Sequence, residues 1–133
     1  MNGAAKAIEF YKKAFGAQEL YRMAGPNDTV GHAELKIRDA IVMLADWEEG
    51  TNEQQTKGAS FLMYVEDVDA AFQRALDAGA TVRDPLEDKF YGDRMGALQD
   101  PFGIVWFLGT HIEDVSPEEM EKRAAALMAQ MKA

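Results

Sequence analysis

The stretch Val68-Asp69-Ala70-Ala71-Phe72-Gln73-Arg74-Ala75-Leu76-Asp77-Ala78-Gly79-Ala80 places apolar residues at Val68, Ala71, Phe72, Ala75 and Leu76. That is the spacing of one helix face, with Arg74 and Asp77 turned away and Gly79 set to end the run. Earlier in the chain the device recurs: Ala7, Phe10, Tyr11, Ala14 and Phe15 form a stripe, Glu9, Lys12 and Lys13 lie opposite, and Gly16, 63 positions before Gly79, closes it. The offset extends outward. Leu35 falls on Leu98, Ala40 on Gly103, and Ile41-Val42-Met43-Leu44 on Ile104-Val105-Trp106-Phe107. An internal duplication accounts for all of this.

In each copy the helix leads into a strand, a connection, a strand, a tight turn and another strand, the turns being Arg38-Asp39 and Asp100-Pro101-Phe102-Gly103. A strand of β-formers, Ser60 to Val65, precedes the second helix, whereas its counterpart would fall at or before Met1. The sequence therefore predicts one α+β domain over residues 1–133, built from tandem βαβββ units of which the first lacks its opening strand. Unit one spans 1–47, a polar linker 48–59 and unit two 60–111. A sheet short of a strand has an edge to be covered, by a partner chain or by residues upstream of Met1. Ser116-Pro117-Glu118-Glu119 reads as a capping box with proline at the first helical position, opening a C-terminal helix over 116–132. Met120, Ala124, Leu127, Met128 and Met131 give that helix an apolar stripe, suited to core packing or a subunit contact.

At 133 residues and 47% hydrophobic composition, the chain can bury one core without staples. The absence of cysteine excludes disulfides, thiolate metal sites and a catalytic thiol. A net charge of −9, with fourteen scattered Lys and Arg, argues against nucleic acid as a partner. No stretch reaches the apolar length of a membrane span, and a cytoplasmic location is expected. The sequence lacks a phosphate-cradling P-loop, a G-x-G-x-x-G after a strand, a G-x-S-x-G elbow and an H-E-x-x-H pair.

The repeated βαβββ pattern, with Ala7-Ile8-Glu9-Phe10-Tyr11 and Phe15-Gly16-Ala17 bounding its first helix, resembles the vicinal oxygen chelate superfamily of glyoxalases, bleomycin-resistance proteins and extradiol dioxygenases. Gly31-His32-Ala33-Glu34-Leu35, Phe90-Tyr91-Gly92-Asp93-Arg94, Asp100-Pro101-Phe102-Gly103 and the run Thr110 to Glu118 look most like its PhnB-like branch. The resemblance implies that each pair of units curls its sheet into a cup. In the metal-dependent members, inward-facing strand positions bring ligands around a divalent ion. The carboxylate that the family places on the last strand of each unit falls here on Leu44 and Phe107, which offer no donor. Ser60 to Leu62 contains no ligand either, and Ile104 stands where many relatives have histidine. No metal and no other cofactor is therefore expected.

His32 and Glu34 alternate with Ala33 and Leu35, so on a strand they share a face and could act as a general base pair or half a metal site. Asp46, or Glu113 with His111, would be the source of a third donor. The plainer reading, a solvated face of His32, Glu34 and Lys36, carries more weight. Arg94 could hold a carboxylate or pair with Asp93 or Asp88, and Tyr91 could stack on a ligand. Trp106, Phe107, Phe61, Leu44 and Trp47 would line or rim an apolar cup.

Three functions are in play. The first is metal-free binding of a small, partly apolar organic molecule. The second is a metal-dependent lyase or dioxygenase of glyoxalase type with a rearranged site around His32 and Glu34. The third is association alone, through the open edge and the C-terminal helix. A homodimer is expected under each.

Overall fold

The computed structural model describes residues 1–46 and 59–132; the expected linker and Trp47 lie outside the described residues, apart from Ala59. The elements follow the duplicated order. Unit one gives α1 (Ala4–Phe15), β1 (Gln18–Ala24), β2 (Val30–Ile37) and β3 (Ala40–Leu44). Unit two gives β4 (Ser60–Tyr64), α2 (Val68–Ala78), β5 (Thr81–Asp88), β6 (Asp93–Gln99) and β7 (Val105–His111), and α3 (Pro117–Lys132) closes the chain.

Both stripe helices stop where glycine takes a left-handed conformation, Gly16 at φ 67° and Gly79 at φ 119°. There the N–H groups of Gly16 and Ala17 reach back to the carbonyls of Lys12 and Tyr11. Asp67 caps α2 through Ala70 N–H at 3.2 Å, and Ser116 Oγ accepts from Glu119 N–H at 3.2 Å as the capping box requires. The cap of α1 comes from elsewhere. Asp46, beyond the end of β3, accepts from the N–H groups of Gly3 (3.0 Å) and Ala4 (2.8 Å) with one oxygen and from Val30 (2.8 Å) with the other.

The strands form two sheets, β1-β2-β3 and β4-β7-β6-β5, all pairs antiparallel except β4 with β7. α1 and α2 pack together on one face of the sheets, and the core lies there, with Ile8, Leu35, Val68, Leu98 and Leu108 fully buried.

The repeat is not uniform along its length. Ala97 and Phe107 are partners in unit two, Glu34 and Met43 in unit one. The offset is thus 63 before the turn and 64 after it. Three residues, Pro101 to Gly103, lie between the bonded pair Asp100 and Ile104, whereas two, Arg38 and Asp39, lie between Ile37 and Ala40. One added residue exchanges the faces of every side chain that follows. The structure therefore corrects the sequence alignment: Met43, not Leu44, is the counterpart of Phe107, and Leu44 corresponds to Leu108 on the helix side.

Candidate functional site

Among the described residues β3 pairs only with β2, and β4 only with β7. Between their other edges runs a cleft of about 720 Å³ lined by Ile37, Ala40, Val42, Phe61, Met63 and Trp106, with Arg38 and Asp39 at its mouth. It continues into an apolar pocket of about 310 Å³ where Tyr11, Val42, Leu44, Phe61, Ile104 and Trp106 meet. Volumes of this size suit a small organic ligand.

One buried carboxylate ties the floor together. Asp100, 4% exposed, accepts from Tyr11 Oη at 2.7 Å and Trp106 Nε1 at 2.9 Å with one oxygen, and from the N–H groups of Phe102 (2.9 Å) and Ile104 (3.0 Å) with the other. Burial, then the neighbouring Asp100 charge, pushes the Tyr11 phenol far above its ordinary range, so it remains a donor. The Trp106 ring rests on Tyr11, Phe15 and Phe61, with centroids 5.5, 4.6 and 5.1 Å away.

The sheet faces turned away from α1 and α2 carry a second set of groups. On sheet one, Tyr21, Met23, Ile41 and Met43 are exposed beside His32 and Glu34, and His32 Nε2 lies 3.2 Å from Glu34 Oε1. On sheet two, buried Asp93 accepts from Tyr64 Oη at 2.6 Å with one oxygen and meets His111 Nδ1 at 2.8 Å with the other, while His111 Nε2 reaches Asp114 at 2.6 Å. Asp114 first, and then Asp93, raises the His111 pKa; the bond to Asp93 likewise raises that of Tyr64. Gly109 admits this cluster, because a Cβ there would lie 2.7 Å from the Met95 methyl and 3.6 Å from the Tyr64 ring.

The residues expected to line one cup are divided between the two faces. Leu44, Phe61 and Trp106 meet in the apolar pocket on the helix side. Phe107, 37% exposed, lies on the opposite face. Tyr91 donates to the Met95 sulfur at 3.4 Å. Arg94 turns toward α2, with Asp69 at 3.0 Å and Asp88 at 3.1 Å as partners. Asp93 points to the other face and serves His111, a separation that strand alternation makes readable in advance. The roles of Asp46 and Asp100 carried no local signal.

Among the described residues the donor set does not fit a divalent metal. On the last strands Leu44, Phe107 and Met43, the repeat counterpart of Phe107, offer no carboxylate. Asp46 is committed to backbone N–H groups, His111 to two carboxylates and Glu113 to Arg123. Among the described residues no group of three or more His, Asp or Glu could hold an ion.

Residues 1–108 match the family model of the Glyoxalase/Bleomycin resistance protein/Dioxygenase superfamily. The chain belongs to that superfamily. Among its relatives, the Rv0887c protein of Mycobacterium tuberculosis is 43% identical over 129 residues, covering 91% of this chain and 76% of that one. TioX from Micromonospora sp. ML1 superposes with a TM-score of 0.70 at 28% identity, covering 84% of this chain and 93% of TioX. A PhnB protein from Bacillus cereus shares the fold with a TM-score of 0.67 at 22% identity, over 82% and 92% of the two chains. Among the described residues, no helix of this superfamily member is long and apolar enough to cross a membrane.

Proposed function

We propose that the protein binds a small, partly apolar organic molecule without a metal, in the cleft between β3 and β4. The observation that carries this reading is the convergence of Leu44, Phe61 and Trp106, three residues of different elements, on one apolar pocket. Phe61 is 42% exposed while Trp106 is 4% exposed and fixed by Asp100. A half-exposed ring thus faces a buried one held by Asp100, an arrangement suited to flat apolar groups. The exposed apolar faces of the two sheets support a homodimer that covers them.

Calorimetric or fluorescence titration with a panel of small aromatic and aliphatic compounds tests the proposal, with Phe61→Ala expected to weaken any hit about tenfold. Elemental analysis of chelator-free protein runs beside it. Stoichiometric metal, together with turnover that His32→Ala abolishes, would replace binding by catalysis. The His32–Glu34 pair is the one observation that favours such a metal-dependent lyase or dioxygenase, with further donors supplied by a second copy.

A further inference from the structure

On the face of sheet two turned away from the helices, alternation along β7 sets Phe107, Gly109 and His111 in one column. Leu62 and Tyr64 of β4 flank it on one side, and Ala97, Met95 and Asp93 of β6 on the other. One end of the column is apolar, with Leu62 54% and Phe107 37% exposed. The other end is polar and organised from beneath. A carboxylate as buried as that of Asp93 is costly unless it is paired, and its two oxygens hold Tyr64 Oη and His111 Nδ1 in place. Tyr64 reaches Asp93 by crossing β7 at Gly109, whose missing side chain leaves the room.

The outward-facing atoms of this cluster have replaceable partners. His111 Nε2 meets Asp114 Oδ1 at 2.6 Å, and the Asp114 side chain is fully solvated. The Tyr91 hydroxyl gives its proton to the Met95 sulfur at 3.4 Å, a weak acceptor. The charge of Asp93 acts on both groups. Asp114 first, and then Asp93, raises the His111 pKa, so the ring keeps its second proton nearer neutrality than a free imidazole and Nε2 is a donor. An ion pair with a fully solvated carboxylate is weak, and another carboxylate can take its place. Asp114 thereby shows what the ring accepts.

We infer that this face is a binding site, separate from the cleft, for a monocarboxylate with a linear apolar body. The ligand carboxylate displaces Asp114 from His111 Nε2 and accepts from Tyr91 Oη, while the apolar chain runs past Tyr64 and Met95 to Leu62 and Phe107. His111 and Phe107 are four residues apart on β7, about 13 Å, a span matched by an extended chain of about eight to ten carbons. Arg94, the neighbouring cation of β6, is turned to Asp69 and Asp88, so a second ligand charge gains nothing from it.

Isothermal titration at about pH 6, where an imidazole is charged with or without Asp114, tests this with sodium octanoate against butyrate and the neutral octanamide. Octanoate should bind at least about tenfold more tightly than either. Asp114→Asn removes the internal competitor and should tighten octanoate about threefold or more, a gain that a merely structural role for Asp114 would not produce. His111→Gln should weaken octanoate about tenfold, and Phe61→Ala, in the cleft, should leave it unchanged. Equal binding of octanoate and octanamide overturns the inference, as does an Asp114→Asn variant that binds octanoate no better than the parent. Octanoate binding that is lost with Phe61→Ala belongs to the cleft, and overturns this site while supporting the other. Failure of octanoate to bind overturns this site alone.

Discussion

Replacing Asp100 by alanine should destabilise the protein more than any other single truncation of a polar side chain. The carboxylate serves four donors at 2.7 to 3.0 Å, from α1, from β7 and from the turn before β7. Two of them, Tyr11 Oη and Trp106 Nε1, are buried, and each loses its partner without access to water. At about 1–3 kcal/mol for a buried unsatisfied donor, the pair costs about 4 kcal/mol. The two turn N–H groups are partly accessible and add about 1 kcal/mol more. A loss of about 4–5 kcal/mol is a large share of the about 5–15 kcal/mol expected for one domain. In urea, with a slope of about 2 kcal/mol/M, the midpoint should fall by about 2 M.

Asp100→Asn refines the test. The amide oxygen can keep the turn, but its NH₂ is set against the Trp106 N–H, which has no lone pair, while the Tyr11 hydroxyl can rotate to accept. The loss should be about half that of alanine, about 2–3 kcal/mol. Tyr11→Phe should then cost less in the Asp100→Ala background than alone, because the shared bond is already gone. A midpoint for Asp100→Ala within 0.5 M of the parent, or strictly additive effects, would refute the assignment of Asp100 as the clamp between α1 and β7.

Three further outcomes are expected. The raised pKa of His111, caused by Asp114 and Asp93, means that its contribution is complete below about 6.5 and is lost as pH rises through the folded-state value. The melting-temperature advantage of the parent over His111→Gln should therefore shrink between about pH 6 and pH 8, and a constant advantage would count against the bridge. Gly92, at φ 93°, has no room for a Cβ, which would strike the Glu113 carbonyl oxygen and lie 3.0 Å from Val115. Gly92→Ala should cost about 2 kcal/mol or more in chemical unfolding, and a neutral result would mean that the 89–92 loop is not locked against residues 112 and 113. For Asp46, burial acts to raise the pKa but is outweighed by three backbone N–H bonds, and the net effect is to lower it from 3.8. Asp46→Asn should lose about 1–2 kcal/mol at neutral pH, a deficit that vanishes as pH falls through the folded-state value; a deficit independent of pH would exclude the cap.

The order of elements was legible because both helix stripes end in glycine and each is followed by the same succession of strands. That logic needs only nearest neighbours along the chain. The site was less legible because its determinants are distant in sequence: Asp46 caps a helix more than 40 residues away, and Asp100 joins Tyr11, 89 residues off, to Trp106. A carboxylate in a turn gives no local sign of a remote buried donor. Arg94 is the opposite case. Its separation from Asp93 follows from strand alternation, and adjacency in sequence suggested a pair that the pleat forbids.

The turn length shows how a small local difference reaches the chemistry. With a constant offset, Leu44 and Phe107 would share a position in the repeat; the three-residue loop of unit two against the two-residue turn of unit one places them on opposite faces. Leu44 thereby joins Phe61 and Trp106 in the pocket, while the Met43 side chain is largely exposed. Where the two copies agree, they build a buried core that leaves little exposed for recognition. Where they disagree, in the length of one turn, Leu44 is brought beside Phe61 and Trp106, and the binding proposed above draws on that mismatch.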